Sequence, residues 1–184
     1  MPKKEKNERE IKKEKKLIKK LYILQLVNNG IPKEKKLPEK AYDYLELKKG
    51  RYWLKKEARE KIKVVATGGV FDIIHYGHIL TLKEAKKLGD LLVVVLATDD
   101  VALRKGRKPL HEQDKRVEML NAIKYVDIAI KGVDNMMDTI NRVRPDIIAF
   151  GYDQVMFFVP GIESVRLNVA YKPDVIKTSK ILKQ

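Results

Sequence analysis

Val64-Val65-Ala66-Thr67-Gly68-Gly69-Val70-Phe71-Asp72-Ile73-Ile74-His75-Tyr76-Gly77-His78 runs from a β-branched segment through a glycine turn and out into a helix. The apolar run Ile62–Ala66 reads as a strand ending at Thr67-Gly68-Gly69. Ile79, Leu82, Ala85 and Leu88 then recur at helical spacing until Gly89-Asp90 stops them. Downstream, Leu91–Leu96 is continuously apolar, as a strand covered on both faces requires. A helix is predicted from about Glu112 through Lys124 on Val117, Leu120 and Ile123, then a strand at Val126–Ile130. Another helix follows near Met136–Val143, and Asp146–Phe150 reads as a further buried strand. This alternation predicts an α/β fold, a Rossmann-like doubly wound parallel sheet with right-handed crossovers. Ligands of such sheets lie beyond the carboxyl ends of the strands. The places to search are therefore Thr67–His78, Ala97–Lys108 and Gly151–Gln154.

Upstream of the first strand the composition changes. Of 184 residues, 44% are hydrophobic and 35% charged, with a formal net charge of +15. Met1–Lys63 carries 22 basic against 10 acidic residues, so most of the excess charge sits in this third. Residues 1–16 read as a charged arm, frayed or disordered. Residues 17–62 read as a small, mainly helical, winged-helix-like module, and 63–184 as the α/β domain. Leu17, Leu21 and Leu24, with Ile18 and Val27, predict an amphipathic helix that stops at Asn28-Asn29-Gly30. A second short helix is expected to open at Pro38 and bury Ala41, Tyr42 and Leu45. Arg51–Trp53 would form a basic wing, and nucleic acid is the partner such a module would take.

Several classes are excluded. No cysteine occurs, which removes disulfides, thiolate nucleophiles and Cys-ligated zinc. No run of 18 apolar residues occurs and no secretory leader is visible, so no membrane partner and a cytoplasmic location are expected. The lysine- and glutamate-rich surface also fits a thermophile. A homodimer remains open at this level.

The chemistry concentrates after the first strand. His75 and His78 are three apart and bracket a helix start, so both imidazoles can face one mouth. Gly77 between them removes a side chain from the entrance, and the helix N-terminus favours an anion. Imidazoles, backbone amides and the positive end of a helix make a cradle for a phosphoryl group gaining charge. No third histidine or cysteine stands near enough in sequence to suggest that the protein supplies a metal site.

The pattern G-x-F-D-x-x-H-x-G-H over Gly69–His78 resembles the first signature of the HxGH nucleotidyltransferase superfamily, in its cytidylyltransferase-like branch. Lys105-Gly106-Arg107-Lys108-Pro109, the helix start at Arg116, Gly151-Tyr152-Asp153-Gln154 and the weaker Lys177-Thr178-Ser179 extend the likeness across Lys63–Gln184. The resemblance implies transfer of a nucleoside monophosphate from ATP or CTP to a phosphate-bearing acceptor, with release of pyrophosphate. It implies that His75, His78 and Lys105 are catalytic and that Gly69, Val70, Phe71, Asp72, Tyr76 and Gly77 line the nucleotide. It also assigns Arg116, and Lys108 beside it, to phosphates, Gly151, Tyr152, Asp153 and Gln154 to the nucleoside, and Thr178 and Ser179 to the outer phosphates. Magnesium would arrive with the triphosphate. Among the branches, archaeal-type FAD synthases are the most similar, which favours FMN as acceptor. Met156–Pro160 would then offer an apolar wall to its ring. The alternatives are a CTP-dependent cytidylyltransferase of a small alcohol phosphate such as glycerol 3-phosphate, and a nucleotide-sensing DNA-binding regulator.

Overall fold

A single helix, α1 (Lys3–Asn28), takes up the charged arm and the amphipathic segment together in the computed structural model, which describes residues 3–104, 106 and 108–171. Its buried face is Ile18, Leu21, Tyr22 and Leu26, whereas Val27 is 54% exposed. The stripe read from the sequence is thus rotated, because Gln25 turns inward to accept a hydrogen bond from the Leu54 amide at 2.7 Å. After α1 come β1 (Ile31–Pro32), a 3-10 helix (Glu39–Tyr44), β2 (Leu45–Lys48), β3 (Arg51–Leu54) and α2 (Lys56–Arg59). The three strands form an antiparallel sheet in the order β1-β3-β2.

Two expectations for this segment change. The piece after Pro38 is a 3-10 helix, whose three-residue turn buries Ala41 but leaves Tyr42 41% exposed, edge-on to the Tyr52 ring at 5.4 Å. Arg51 does not stand out as a wing cation. Its Nε donates to Gly30 O at 3.0 Å and its Nη2 to Asn28 O at 2.8 Å, so the guanidinium caps the last carbonyls of α1.

The chain folds as two compact units, Met1–Ile62 and Lys63–Gln184. The second is built on five parallel strands, β4 (Val64–Gly69), β5 (Leu91–Leu96), β6 (Ile128–Lys131), β7 (Ile147–Phe150) and β8 (Glu163–Arg166), in the order β6-β5-β4-β7-β8. Helices α3 (Tyr76–Lys87), α4 (Asp99–Arg104), α5 (Gln113–Asn121) and α6 (Met136–Val143) connect and flank them. Val65, Leu82, Ala85, Leu92, Val94 and Leu120 are among the side chains of the core. Strand placement moves outward from β4 to one edge and then resumes on its other side at β7. The strand order therefore reverses between β4 and β7, and a crevice opens there at the carboxyl ends.

At the opposite, amino ends of the strands, three aspartates set the register. Asp90 accepts the Lys63 amide at 2.8 Å, Asp127 the Leu92 amide at 2.7 Å and Asp146 the Val64 amide at 2.6 Å. Each aspartate also returns its own N–H to the same residue's carbonyl. Asp127 in addition pairs with Lys86. Because Leu92 is fully buried, its amide has no water to turn to. Asp127→Ala should cost about 1–3 kcal/mol in urea denaturation, and Asp127→Asn, which keeps an acceptor oxygen, should recover part of it. An unchanged midpoint in the alanine variant would remove the register role.

Candidate active site

Phe71 is where the chain turns out of the sheet. It adopts φ +50°, a conformation unusual for a bulky residue, and is only 7% exposed. The turn folds its ring back beneath Gly69, where a Cβ would approach the ring at 2.8 Å, so only glycine fits. The same ring meets His78 edge-on, with centroids 5.1 Å apart. His75 caps α3 from extended backbone, and His78 sits at the third position of the helix. Their rings stack at 3.8 Å with 24° between planes. A Cβ on Gly77 would lie 3.0 Å from the His75 ring, so this glycine clears space for that imidazole. His78 Nδ1 faces the His75 amide at 3.5 Å, while the buried His75 Nδ1 has no hydrogen-bond partner among the described residues.

His78, not its partner in the stack, borders a hollow of about 190 Å³ lined also by Thr67–Asp72, Thr81, Gly151, Asp153 and Gln154. It lies at the β4/β7 reversal, as the strand order demands. Gln154 builds its far wall. The side-chain oxygen accepts the Gly151 amide and the amide nitrogen donates to Gly68 O, both at 2.8 Å, which ties the loop after β7 to the end of β4. Arg166 holds the same loop by donating to the Tyr152 and Gln154 carbonyls, each at 3.0 Å. Thr81, one turn beyond His78, was not singled out in the sequence, although i+3 spacing on α3 places it on the same face. Tyr76 faces away from this wall far enough to be 54% exposed, its ring edge-on to Tyr171.

Two residues assigned to the nucleotide prove to act on the protein itself. The Arg116 side chain is wholly buried. It donates to His111 O at 3.0 Å, Ala97 O at 2.9 Å and Val70 O at 2.5 Å, and it pairs with Asp99. Its charge is thus used in joining three loops and not in meeting a phosphate. The Asp72 carboxylate, equally buried, accepts the Leu110 and His111 amides at 2.9 Å each and faces His111 Nδ1 at 3.3 Å. It fastens the far end of the basic loop to the turn after β4. Lys108 is exposed. Lys105, Thr178 and Ser179 lie outside the described residues.

Burial sets the charge state of the pair. Desolvation lowers the His75 pKa against the pull of the Asp153 carboxylate. His78 is pushed down to about 4, chiefly by burial and further by His75, with Asp153 and a backbone hydrogen bond at Ile73 opposing. Both imidazoles are accordingly neutral at pH 7.

The sequence comparisons agree with this geometry. The chain belongs to the cytidylyltransferase-like family, whose model matches residues 66–183, and it is a nucleotidyltransferase. Within that class it is 46% identical over 140 residues to a FAD synthase of Thermococcus sibiricus, covering 68% of this chain and 93% of that one. A FAD synthase of Pyrococcus horikoshii is 44% identical over 137 residues, covering 67% and 92%. Among solved structures, the lipopolysaccharide core biosynthesis protein of Thermoplasma volcanium matches with TM-score 0.55 and 40% identity, over 60% of this chain and 99% of that one.

Folding leaves His78 with a pKa below its unfolded value, so the native state binds fewer protons than the unfolded state between about pH 4 and 6.5. Stability contributed by the neutral ring is full above pH 6.5 and is lost as pH falls through that window. Urea midpoints measured from pH 7 to 4 should fall more steeply for the wild type than for His78→Phe. Equal slopes would show that His78 is not desolvated.

Proposed function

We propose that this protein is an FMN adenylyltransferase, joining ATP and FMN to give FAD and pyrophosphate. One observation supports the reading most directly: two stacked, uncharged imidazoles at the first turn of α3, one with an unpartnered buried nitrogen and the other, His78, lining an anion-sized hollow. The similarity to FAD synthases supplies the acceptor. In the reaction, an oxygen of the FMN phosphate forms a bond to the α-phosphorus of ATP. The bond from that phosphorus to the bridging oxygen breaks, and pyrophosphate leaves. The acceptor is already anionic at neutral pH, so no side chain has to act as nucleophile. What the protein must supply is in-line placement and compensation for charge that builds on the α-phosphate.

The residues divide that work. His75 and His78 offer ring N–H groups to the phosphates, and a nearby anion raises their proton affinity from its depressed resting value. The first amides of α3 lie at the positive end of its dipole. The glycine backbone from Gly68 to Val70 allows the chain of phosphates to lie close to the sheet. Asp153 orients the nucleoside side of the hollow. Lys105 and Lys108 supply positive charge from the basic loop, and Thr178 and Ser179 bind the outer phosphates. Asp72 and Arg116 act through the loops they anchor.

Magnesium enters as part of the triphosphate substrate, where it neutralises phosphate charge. Among the described residues no group of three His, Asp or Glu side chains is gathered tightly enough to hold a metal.

Pyrophosphate release from ATP should be seen with FMN and not with glycerol 3-phosphate, and CTP should substitute poorly for ATP. His75→Ala and His78→Ala should each lower kcat by roughly 10²–10³ while the protein stays folded, the range for losing one oxyanion-type donor. Rates near wild type in both variants, or turnover with glycerol 3-phosphate alone, would contradict the assignment.

A further inference from the structure

Helix α1 carries its charge on one side. Lys12, Lys16 and Lys20 recur four residues apart and Lys13 lies three before Lys16, so the four share a face, and all four are exposed. Ile18, Leu21, Tyr22 and Leu26 occupy the opposite face and are buried. Glu14, the one carboxylate between Lys12 and Lys20, is turned away from the stripe and pairs with Lys61 at 2.6 Å. None of the four lysines makes an ion pair or hydrogen bond with a described residue. Surface lysines of the α/β unit behave differently: Lys87 meets Glu84 at 2.6 Å, Lys115 meets Glu118 at 3.2 Å and Lys131 pairs with Asp114. Like charges four apart weaken a helix, and no described residue offsets them here. We propose that this face of α1 is a docking surface for the phosphate backbone of duplex DNA. It lies outside the segment that matches the family, so that likeness says nothing about it.

The chemistry of the helix selects this partner. A helix adsorbed on a membrane buries its apolar side in the lipid, whereas that side of α1 is already buried in its own unit. Single strands are held by stacking bases on exposed aromatic rings, and the one aromatic residue of α1, Tyr22, is 2% exposed. From Lys12 to Lys20 the stripe spans about 12 Å at the α-helical rise. A duplex presents one phosphate per about 1.7 Å of its axis, so several lie within reach of this span. An α-helix of about 10–12 Å diameter enters the major groove of B-form DNA, whereas the A-form groove of duplex RNA is closed to side chains. Binding is independent of base sequence. The amide side chains beyond the stripe are engaged within the protein, Gln25 by the Leu54 amide and Asn28 by the Leu24 carbonyl. Lysines on phosphates position a duplex without reading it. The surface is therefore the helix and not the hairpin, whose Arg51 caps α1.

The test uses the full chain and a fluorescein-labelled DNA duplex of about 20 base pairs, two helical turns. Fluorescence anisotropy should give the same Kd for two unrelated sequences, and the logarithm of affinity should fall linearly with that of the salt concentration. Lys12→Gln, Lys16→Gln and Lys20→Gln combined should raise Kd roughly tenfold or more at about 0.1 M salt and reduce the salt slope by about 2–3. Gln is close to Lys in helix propensity, so circular dichroism should show unchanged helix content. Should the triple variant lose helix content, Lys16→Gln alone decides, with an expected slope change of about 1. Arginine at the same three positions keeps the charge and should keep the binding. Lys87→Gln, Lys115→Gln and Lys131→Gln together remove the same net charge elsewhere and should move Kd less than about twofold. Equal losses in the two glutamine variants would reduce the effect to net charge and overturn the proposal, as would a wild type that does not bind DNA at this salt. Equal or tighter binding of duplex RNA or of a single strand of the same sequence would overturn the choice of duplex DNA. Stronger binding to phosphatidylserine vesicles than to DNA, lost in the Lys12, Lys16 and Lys20 variant, would make the face a membrane contact instead.

Discussion

A guanidinium shut away from water fixes the geometry of the strand mouths. Arg116 reaches carbonyls at Val70, Ala97 and His111, three points brought together only by the parallel order of β4 and β5 and the loop that precedes α5. Burying a cation this way costs several kcal/mol in desolvation, offset only when each donor finds an acceptor. Here the carbonyls and the Asp99 carboxylate do so. Removing any one loop from this arrangement takes an acceptor away from a buried charge. Asp72 extends the same fastening to Leu110 and His111, so the basic loop is tied to the turn that carries the histidines.

Anchored loops permit the opposite condition at the histidines. His75 and His78 are poorly solvated, stacked and neutral, and one ring nitrogen is left without a partner. That arrangement is unfavourable for the empty protein, and under the proposed function an arriving phosphate would supply what burial has removed. Phe71, in its strained turn, holds His78 from below. Strain and an orphaned polar atom at one place are the expected signs of a site organised for a ligand.

The sequence displayed the parallel sheet because Leu91–Leu96 and Ile147–Phe150 are apolar throughout, and no other environment suits such runs. It did not display β8, whose residues Glu163-Ser164-Val165-Arg166 lie at a sheet edge and carry little apolar signal. Nor did it show α4, six residues that follow β5 almost directly. The histidine pair stood out because it lies in the ten-residue pattern Gly69–His78, which resembles a family signature; i, i+3 spacing by itself would have read as a structural pair. Arg116 and Asp72 were not, since an arginine near a basic loop reads as a phosphate ligand until its acceptors are known. Those acceptors lie as far as 46 residues away along the chain. The α6 wall was hidden for a similar reason: Met136 and Ile140 look like an ordinary helical stripe, and only the fold shows that they line a hollow together with Gly68.

The most direct measurement is the titration of the His75 and His78 imidazoles by NMR, without and with a magnesium complex of a non-hydrolysable ATP analogue. Without nucleotide, His75 should titrate below its ordinary value and His78 near pH 4. At saturating nucleotide, both resonances should shift together and both pKa values should rise. Imidazole signals indifferent to nucleotide would show that the pair does not touch the triphosphate and would contradict the role given to it.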